Sequence, residues 1–158
     1  TVIDLIPREI REGLHPIGRL DFNSRGAILL TNCGDLTLHL THPKYCHPKT
    51  YMVWIKGVPS NEVLSKWRNG LILEQRKTLP ATVELIKSNK GKSLIKVVMA
   101  EGRNRQIRKI AEILGHQVID LQRTSIAGIN LGSLKEGEWC EVNKKRWSHL
   151  INTQIINH

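Results

Sequence analysis

The chain has 158 residues, enough for one domain with a full core, and its 40% hydrophobic content excludes a disordered chain. Lys and Arg number 24 against 14 Asp and Glu, a formal net charge of +10, so a polyanionic partner is expected. No apolar run reaches the ~20 residues of a membrane span. Asp4, Arg8, Glu9, Arg11 and Glu12 break up the first residues, so no signal peptide is expected there. Cys33, Cys46 and Cys140 are odd in number and form no Cys-x-x-Cys pair, which argues against a disulfide framework and suits a reducing compartment. With a single Phe, a nucleic-acid platform built on several stacked aromatics is not expected.

In chain order, residues 27–32 form a short apolar run ended by Asn-Cys-Gly-Asp, which reads as a buried strand and a turn. Asp35 is placed to cap a short helix carrying Leu36, Leu38 and Leu40. Residues 49–56 alternate, with Tyr51, Val53 and Ile55 on one face of a strand and Met52 and Trp54 on the other. Ser60 then opens a helix over 60–69 that puts Val63, Leu64 and Trp67 on one face and stops at Gly70. Two strands, 82–87 and 93–100, flank the hairpin signal Asn89-Lys90-Gly91.

The next helix has the clearest pattern. Ile107, Ile110, Ala111 and Leu114 recur at helical spacing and Gly115 supplies the stop, while Arg105, Arg108, Lys109 and Glu112 take the opposite face. A strand over 118–126 follows, and Asn143 caps a last helix running to Ile151. Hairpins occur and no regular βαβ alternation does, so the expected class is α+β with a central, mainly antiparallel sheet and flanking helices.

Two segments carry candidate chemistry. Residues 18–32 set an isolated acid, Asp21, between Arg19 and a turn-rich stretch; residues 101–108 pack Arg, Asn and Gln into the start of a helix. Taken singly, Asp21 could cap a turn, and Arg103, Arg105, Arg108 and Lys109 could be a solvated helix face. A helix start adds free N–H groups and a positive dipole, which favour phosphate. Cys33, His39, His42, Cys46 and His47 lie close enough in sequence to raise zinc, but their spacing fits no standard finger, and no metal site is expected. No helix-turn-helix or zinc-finger pattern supports a DNA-binding reading.

The longer stretches resemble the catalytic motifs of pseudouridine synthases, in the RsuA-type branch that modifies ribosomal RNA. Gly18-Arg19-Leu20-Asp21 is followed, as in that branch, by Ser24, Gly26, the apolar Ile28-Leu29-Leu30 and Thr31-Asn32; Cys33 stands where the branch usually has Asp. Lys49-Thr50-Tyr51 is similar to its K-x-Y motif, Glu101 to Arg108 to its E-G-R-N-R-Q-I-R, and Leu121-Gln122-Arg123 with Ile126 to its L-x-R-x-x-I. His42-Pro43 also fits the family pattern. Four motifs in the family's order span nearly the whole chain.

The resemblance implies a pseudouridine synthase fold over 1–158 with a basic RNA-binding cleft across the sheet. It implies that Asp21 is the catalytic carboxylate, that Arg108 keeps it charged and oriented, and that Tyr51 stacks on the target base against Leu121. Arg19, Arg103, Asn104, Arg105, Gln106, Lys109 and Arg123 then hold the RNA. A carboxylate nucleophile must be ionised, which a dry pocket opposes and a nearby guanidinium restores. The reaction is redox-neutral, so no cofactor is expected. The expected partner is ribosomal RNA or a ribosomal subunit precursor, with no membrane; the chain is expected to be a monomer in a bacterial cytoplasm or a plastid stroma. The family's Lys-Pro-x-Gly strand and the small N-terminal RNA-binding module of many members do not occur, so a shortened domain is expected. The competing expectation is a catalytically impaired relative that binds RNA or assists ribosome assembly.

Overall fold

The computed structural model describes residues 1–151. In chain order the elements are β1 (His15–Ile17), β2 (Arg25–Gly26), β3 (Leu29–Thr31), α1 (Gly34–Thr41), β4 (Lys49–Lys56), α2 (Asn61–Asn69), β5 (Ile72–Leu73), β6 (Arg76–Lys77), β7 (Thr82–Asn89), β8 (Lys92–Met99), α3 (Gln106–Ile113), β9 (Val118–Ile126), β10 (Ile129–Asn130) and α4 (Lys144–Ile151). Single 3-10 turns at Val2–Leu5 and Pro43–Tyr45 complete them. The α+β class is as the sequence indicates.

The central sheet runs β10-β9-β4-β8-β7, with β2 added beside β9. Its pairings are antiparallel except that of β2 with β9, which joins Arg25 to Gln122 and Gly26 to Arg123 in parallel. The hairpin between β7 and β8 turns on Lys90 and Gly91 at φ 50° and 76°. Positive φ at both central residues gives the twist that two-residue hairpins prefer.

One face of the sheet is buried. Val53, Ile55, Val83, Ile95, Val97, Met99 and Leu121 meet Leu64 and Trp67 of α2 and Ile107, Ile110 and Ala111 of α3. Period-two alternation delivers the strand residues to one face, and the i, i+3, i+4 spacing delivers the helix residues to it. The Ser60 hydroxyl accepts from Val63 N–H at 3.2 Å and caps α2, and Arg68 donates to the Val83 carbonyl at 2.7 Å, which ties that helix to β7. A second cluster gathers Ile17, Ala27, Leu36, Leu40, Ile126, Ile129 and Leu150 at the far end, where α1 packs on α4.

Local readings differ at several points. The apolar run 27–32 yields only the short β3, because Gly26 and Ala27 are drawn to β9 while β3 pairs with β1. Helix α1 starts after Cys33, which takes the N-cap position, so Asp35 lies in the first turn. Leu36 and Leu40 are buried and Leu38 points out, as residues two apart on a helix must. Asn143 does accept from Lys145 N–H at 2.9 Å at the start of α4. The β5–β6 hairpin has no expected counterpart: Glu74 and Gln75 turn it at φ 52° and 68°, without the Gly or Asn that usually marks such a turn.

Candidate active site

The loop between β1 and β2 carries Asp21. The Ser24 N–H donates to the Asp21 carbonyl at 2.9 Å and closes the turn. Arg25 then forms a two-point pair with Asp120 at 2.8 and 3.2 Å. Arg123, only 5% exposed, reaches from β9 under the loop and donates to the Ala27 carbonyl at 2.9 Å and the Arg19 carbonyl at 3.4 Å. From α3, Arg108 donates to the Asn23 carbonyl at 2.5 Å and the Ser24 hydroxyl at 3.2 Å. Arg123 from β9 and Arg108 from α3, with Arg25 of β2 pairing outward to Asp120 on β9, thus fix a loop that has little regular structure of its own.

These groups open onto one cleft of about 790 Å³. It gathers Arg19, Asp21, Tyr51, Arg103, Asn104, Arg105, Gln106, Arg108, Leu121 and Arg123; of the catalytic and RNA-holding residues that the resemblance implies, Lys109 alone does not line it. Tyr51 on β4 is the register partner of Arg123, and Leu121 stands two residues along β9 on the same buried face. The cleft is basic. Arg19, Lys49, Arg76, Lys77, Arg103, Arg105, Arg108 and Arg123 line it against the carboxylates of Asp21 and Glu101. Glu101 is engaged, accepting from Leu79 N–H and from Gln106, each at 3.0 Å.

The geometry revises several expected partnerships. Arg108 holds the backbone and Ser24 of the Asp21 loop, and no ion pair within 4.0 Å joins it to the Asp21 carboxylate among the described residues. Burial first, then the positive charge of Arg105, pull the Arg108 guanidinium below its ordinary value; the charges of Asp21 and Asp120 pull it up. Arg103 donates to the carbonyls of Leu73 and Arg76, and Lys109 pairs with Glu74 at 2.6 Å. Both clamp the β5–β6 hairpin against α3 instead of standing free. Gln106 is buried, accepting from Arg103 N–H at 3.1 Å while donating to Glu101, so it braces the turn into α3. Arg123 is buried beneath the loop rather than spread on an outer surface. Arg19 and Arg105 are exposed. Arg105 precedes α3 in a left-handed conformation, φ 51°.

The sequence reading missed part of the cleft wall. His42, Pro43, Cys46, His47 and Lys49 line it from the segment that enters β4. Of the five residues weighed as zinc ligands, three have other partners: His39 stacks on Tyr45 with ring centroids 4.2 Å apart, His42 accepts from Lys44 N–H, and the Cys46 thiol donates to the Pro43 carbonyl. Among the described residues, no three His, Cys, Asp or Glu side chains are grouped to hold a metal. Burial, with Arg123 nearby, pulls the Lys49 ammonium below its ordinary value, and burial with His39, Lys49 and His149 does the same to His47. The chain's one phenylalanine, Phe22, stands fully exposed beside Asp21. Ser24, the anchor for Arg108, had a sequence signal only as a position in the resembled motif.

Comparison with known proteins gives a consistent result. The family model described as RNA pseudouridylate synthase matches residues 1–112. The chain is 44% identical over 133 residues to the ribosomal large subunit pseudouridine synthase B of Bacillus subtilis (strain 168), covering 83% of the chain and 54% of that relative. It is 36% identical over 156 residues to the ribosomal large subunit pseudouridine synthase E of Vibrio parahaemolyticus, covering 90% of the chain and 64% of the relative. A solved structure described as the crystal structure of pseudouridylate synthase superposes with a TM-score of 0.87 at 28% identity, covering 95% of this chain and 65% of that one. The chain therefore spans between half and two thirds of the length of these relatives.

Proposed function

The chain belongs to the RNA pseudouridylate synthase family, and from that premise we propose that it isomerises a specific uridine to pseudouridine in ribosomal RNA. The observation that carries this is the convergence of Asp21, Tyr51, Arg108 and Leu121, from four separated motifs, on a single basic cleft. The names of the two relatives point to RNA of the large ribosomal subunit as the substrate. We take the enzyme to act as a monomer, in a bacterial cytoplasm or a plastid stroma.

Asp21 is the catalytic carboxylate. It starts the reaction by attacking the sugar or the ring, or by removing a sugar proton. The bond from the sugar to the ring nitrogen breaks, the base turns, the sugar joins carbon five, and the proton of that carbon leaves. Arg108 acts at one remove: by holding the Asn23 carbonyl and Ser24 it fixes the backbone that presents Asp21. Tyr51 and Leu121 supply an aromatic and an aliphatic wall for the base. Drawing a base out of structured RNA costs a few kcal/mol, which contacts from the basic rim at Arg19, Arg76, Lys77 and Arg105 offset.

Asp21→Asn keeps the side chain's shape and removes its charge. It should abolish tritium release from RNA labelled at carbon five of uracil while leaving RNA affinity within a few-fold. Retained turnover in this variant would remove Asp21 from the chemistry.

A further inference from the structure

The same cleft carries a group of basic side chains that the isomerisation itself does not employ. His47 and Lys49 come from the segment entering β4, and Arg123 comes from β9; all three line the cleft. Lys49 and Tyr51 lie two residues apart on β4 and share a face, with Tyr51 paired to Arg123. Arg123 is 5% exposed, yet among the described residues its Nη2 has no hydrogen-bond acceptor, and the buried Nε2 of His47 has no hydrogen-bond partner. Lys49 takes part in no ion pair among the described residues.

Buried donors are almost always satisfied, because an unmade hydrogen bond forfeits the solvation that burial removed. Here the shortfall falls on neighbouring basic groups. Lys49 and Arg123 repel one another, as do Lys49 and His47. Glu101 does not relieve them, being taken up by Leu79, Gln106 and Arg76. Asp21 acts on Arg108. Among the described residues no acceptor completes the group, which leaves a place for an anion. RNA brings one type of anion into such a cleft, the phosphodiester.

We propose that His47, Lys49 and Arg123 form a phosphate subsite in the cleft, which holds a backbone phosphate of the target uridine and thereby sets its ribose against Asp21. This rests on the isomerase reading of the cleft. Arg123 serves both ends, since its Nε and Nη1 hold the Asp21 loop and its Nη2 is left for the phosphate. One guanidinium then couples phosphate capture to the position of the carboxylate.

The test titrates the chain with uridine, uridine 5′-monophosphate, uridine 3′-monophosphate and inorganic phosphate, following the His47 ring and Lys49 Nζ resonances by NMR. One of the two monophosphates should bind about tenfold or more tighter than uridine, as charge-assisted bonds to buried cations require. In Lys49→Met that ratio should collapse towards one, and Lys49→Arg should restore most of it. Inorganic phosphate should move the same resonances weakly and compete with the favoured monophosphate. A ratio near one in the wild type, a ratio that survives Lys49→Met, or phosphate that does not compete would each overturn the subsite. Those failures are separable from failure of the isomerase reading, which is judged by tritium release and uridine binding. Absence of both, with the phosphate gain intact, would remove the isomerase reading and leave only an anion site.

Discussion

Gly26 bears the closest backbone approach in the catalytic half of the molecule, and replacing it with alanine tests how the Asp21 loop is held. Its φ is +118°, outside the range that residues with a Cβ ordinarily adopt, and a Cβ built there lies 2.1 Å from the Arg123 carbonyl oxygen and 2.7 Å from the Arg123 nitrogen. Both obstacles are backbone atoms of β9 in the central sheet, so no side-chain rotation relieves them. The strain of forcing such a conformation is about 1–3 kcal/mol. Moving the chain away breaks the Ala27 N–H bond to the Arg123 carbonyl, 2.8 Å, and the bond from the Arg123 guanidinium to the Ala27 carbonyl, 2.9 Å. The first contributes roughly 1 kcal/mol and the charged one roughly 1.5–3 kcal/mol. Gly26→Ala should therefore destabilise the domain by about 3.5–7 kcal/mol, which for a chain of this size lowers Tm by at least about 7 °C. Gly18→Ala is the control, since Gly18 has positive φ but nothing within 4 Å of a built Cβ. Calorimetric melts of both variants decide the matter. A Gly26→Ala melting point as high as that of Gly18→Ala would refute the parallel β2–β9 contact and the loop geometry built on it.

Two further predictions follow from the arginines. Arg108→Met removes both bonds to the Asp21 loop and should lower kcat far more than it raises KM, with Arg108→Lys recovering only part, because both bonds are made by Nη2 and the lysine ammonium ends one bond short of it; steady-state kinetics on labelled RNA check this, and a pure KM effect would place Arg108 on the binding surface instead. The Arg105 side chain is exposed and makes no hydrogen bond or ion pair among the described residues, whereas Arg103 and Lys109 are bound to the β5–β6 hairpin. Arg105→Ala should flatten the slope of log affinity against log salt by about 0.7 to 0.9, as loss of one phosphate contact requires, and Lys109→Ala should change it less. Equal changes for the two would mean that the Lys109–Glu74 pair opens when RNA binds.

Much of this protein is legible in its sequence because the determinants are local. Alternation at Tyr51, Val53 and Ile55 sets β4 and its buried face, helical spacing at Ile107, Ile110 and Ala111 sets α3, and Ser60 and Gly70 bound α2. The four motifs, read against a known family, identify the residues that meet in the cleft although they lie up to a hundred positions apart. What each of those residues does there is decided by neighbours that no motif names. Arg103 and Lys109 stand in a run that suggests phosphate contacts, but the β5–β6 hairpin, whose Glu74-Gln75 turn carries no Gly or Asn signal, arrives beside α3 and supplies their acceptors. Arg108 meets the backbone of the Asp21 loop, and Arg123 passes beneath it, because β2 joins β9 in parallel. Residue type and spacing set which elements form and which faces they bury. The partners of long charged side chains depend on which chain segments the packed sheet brings within a few ångströms, and only the tertiary structure determines that.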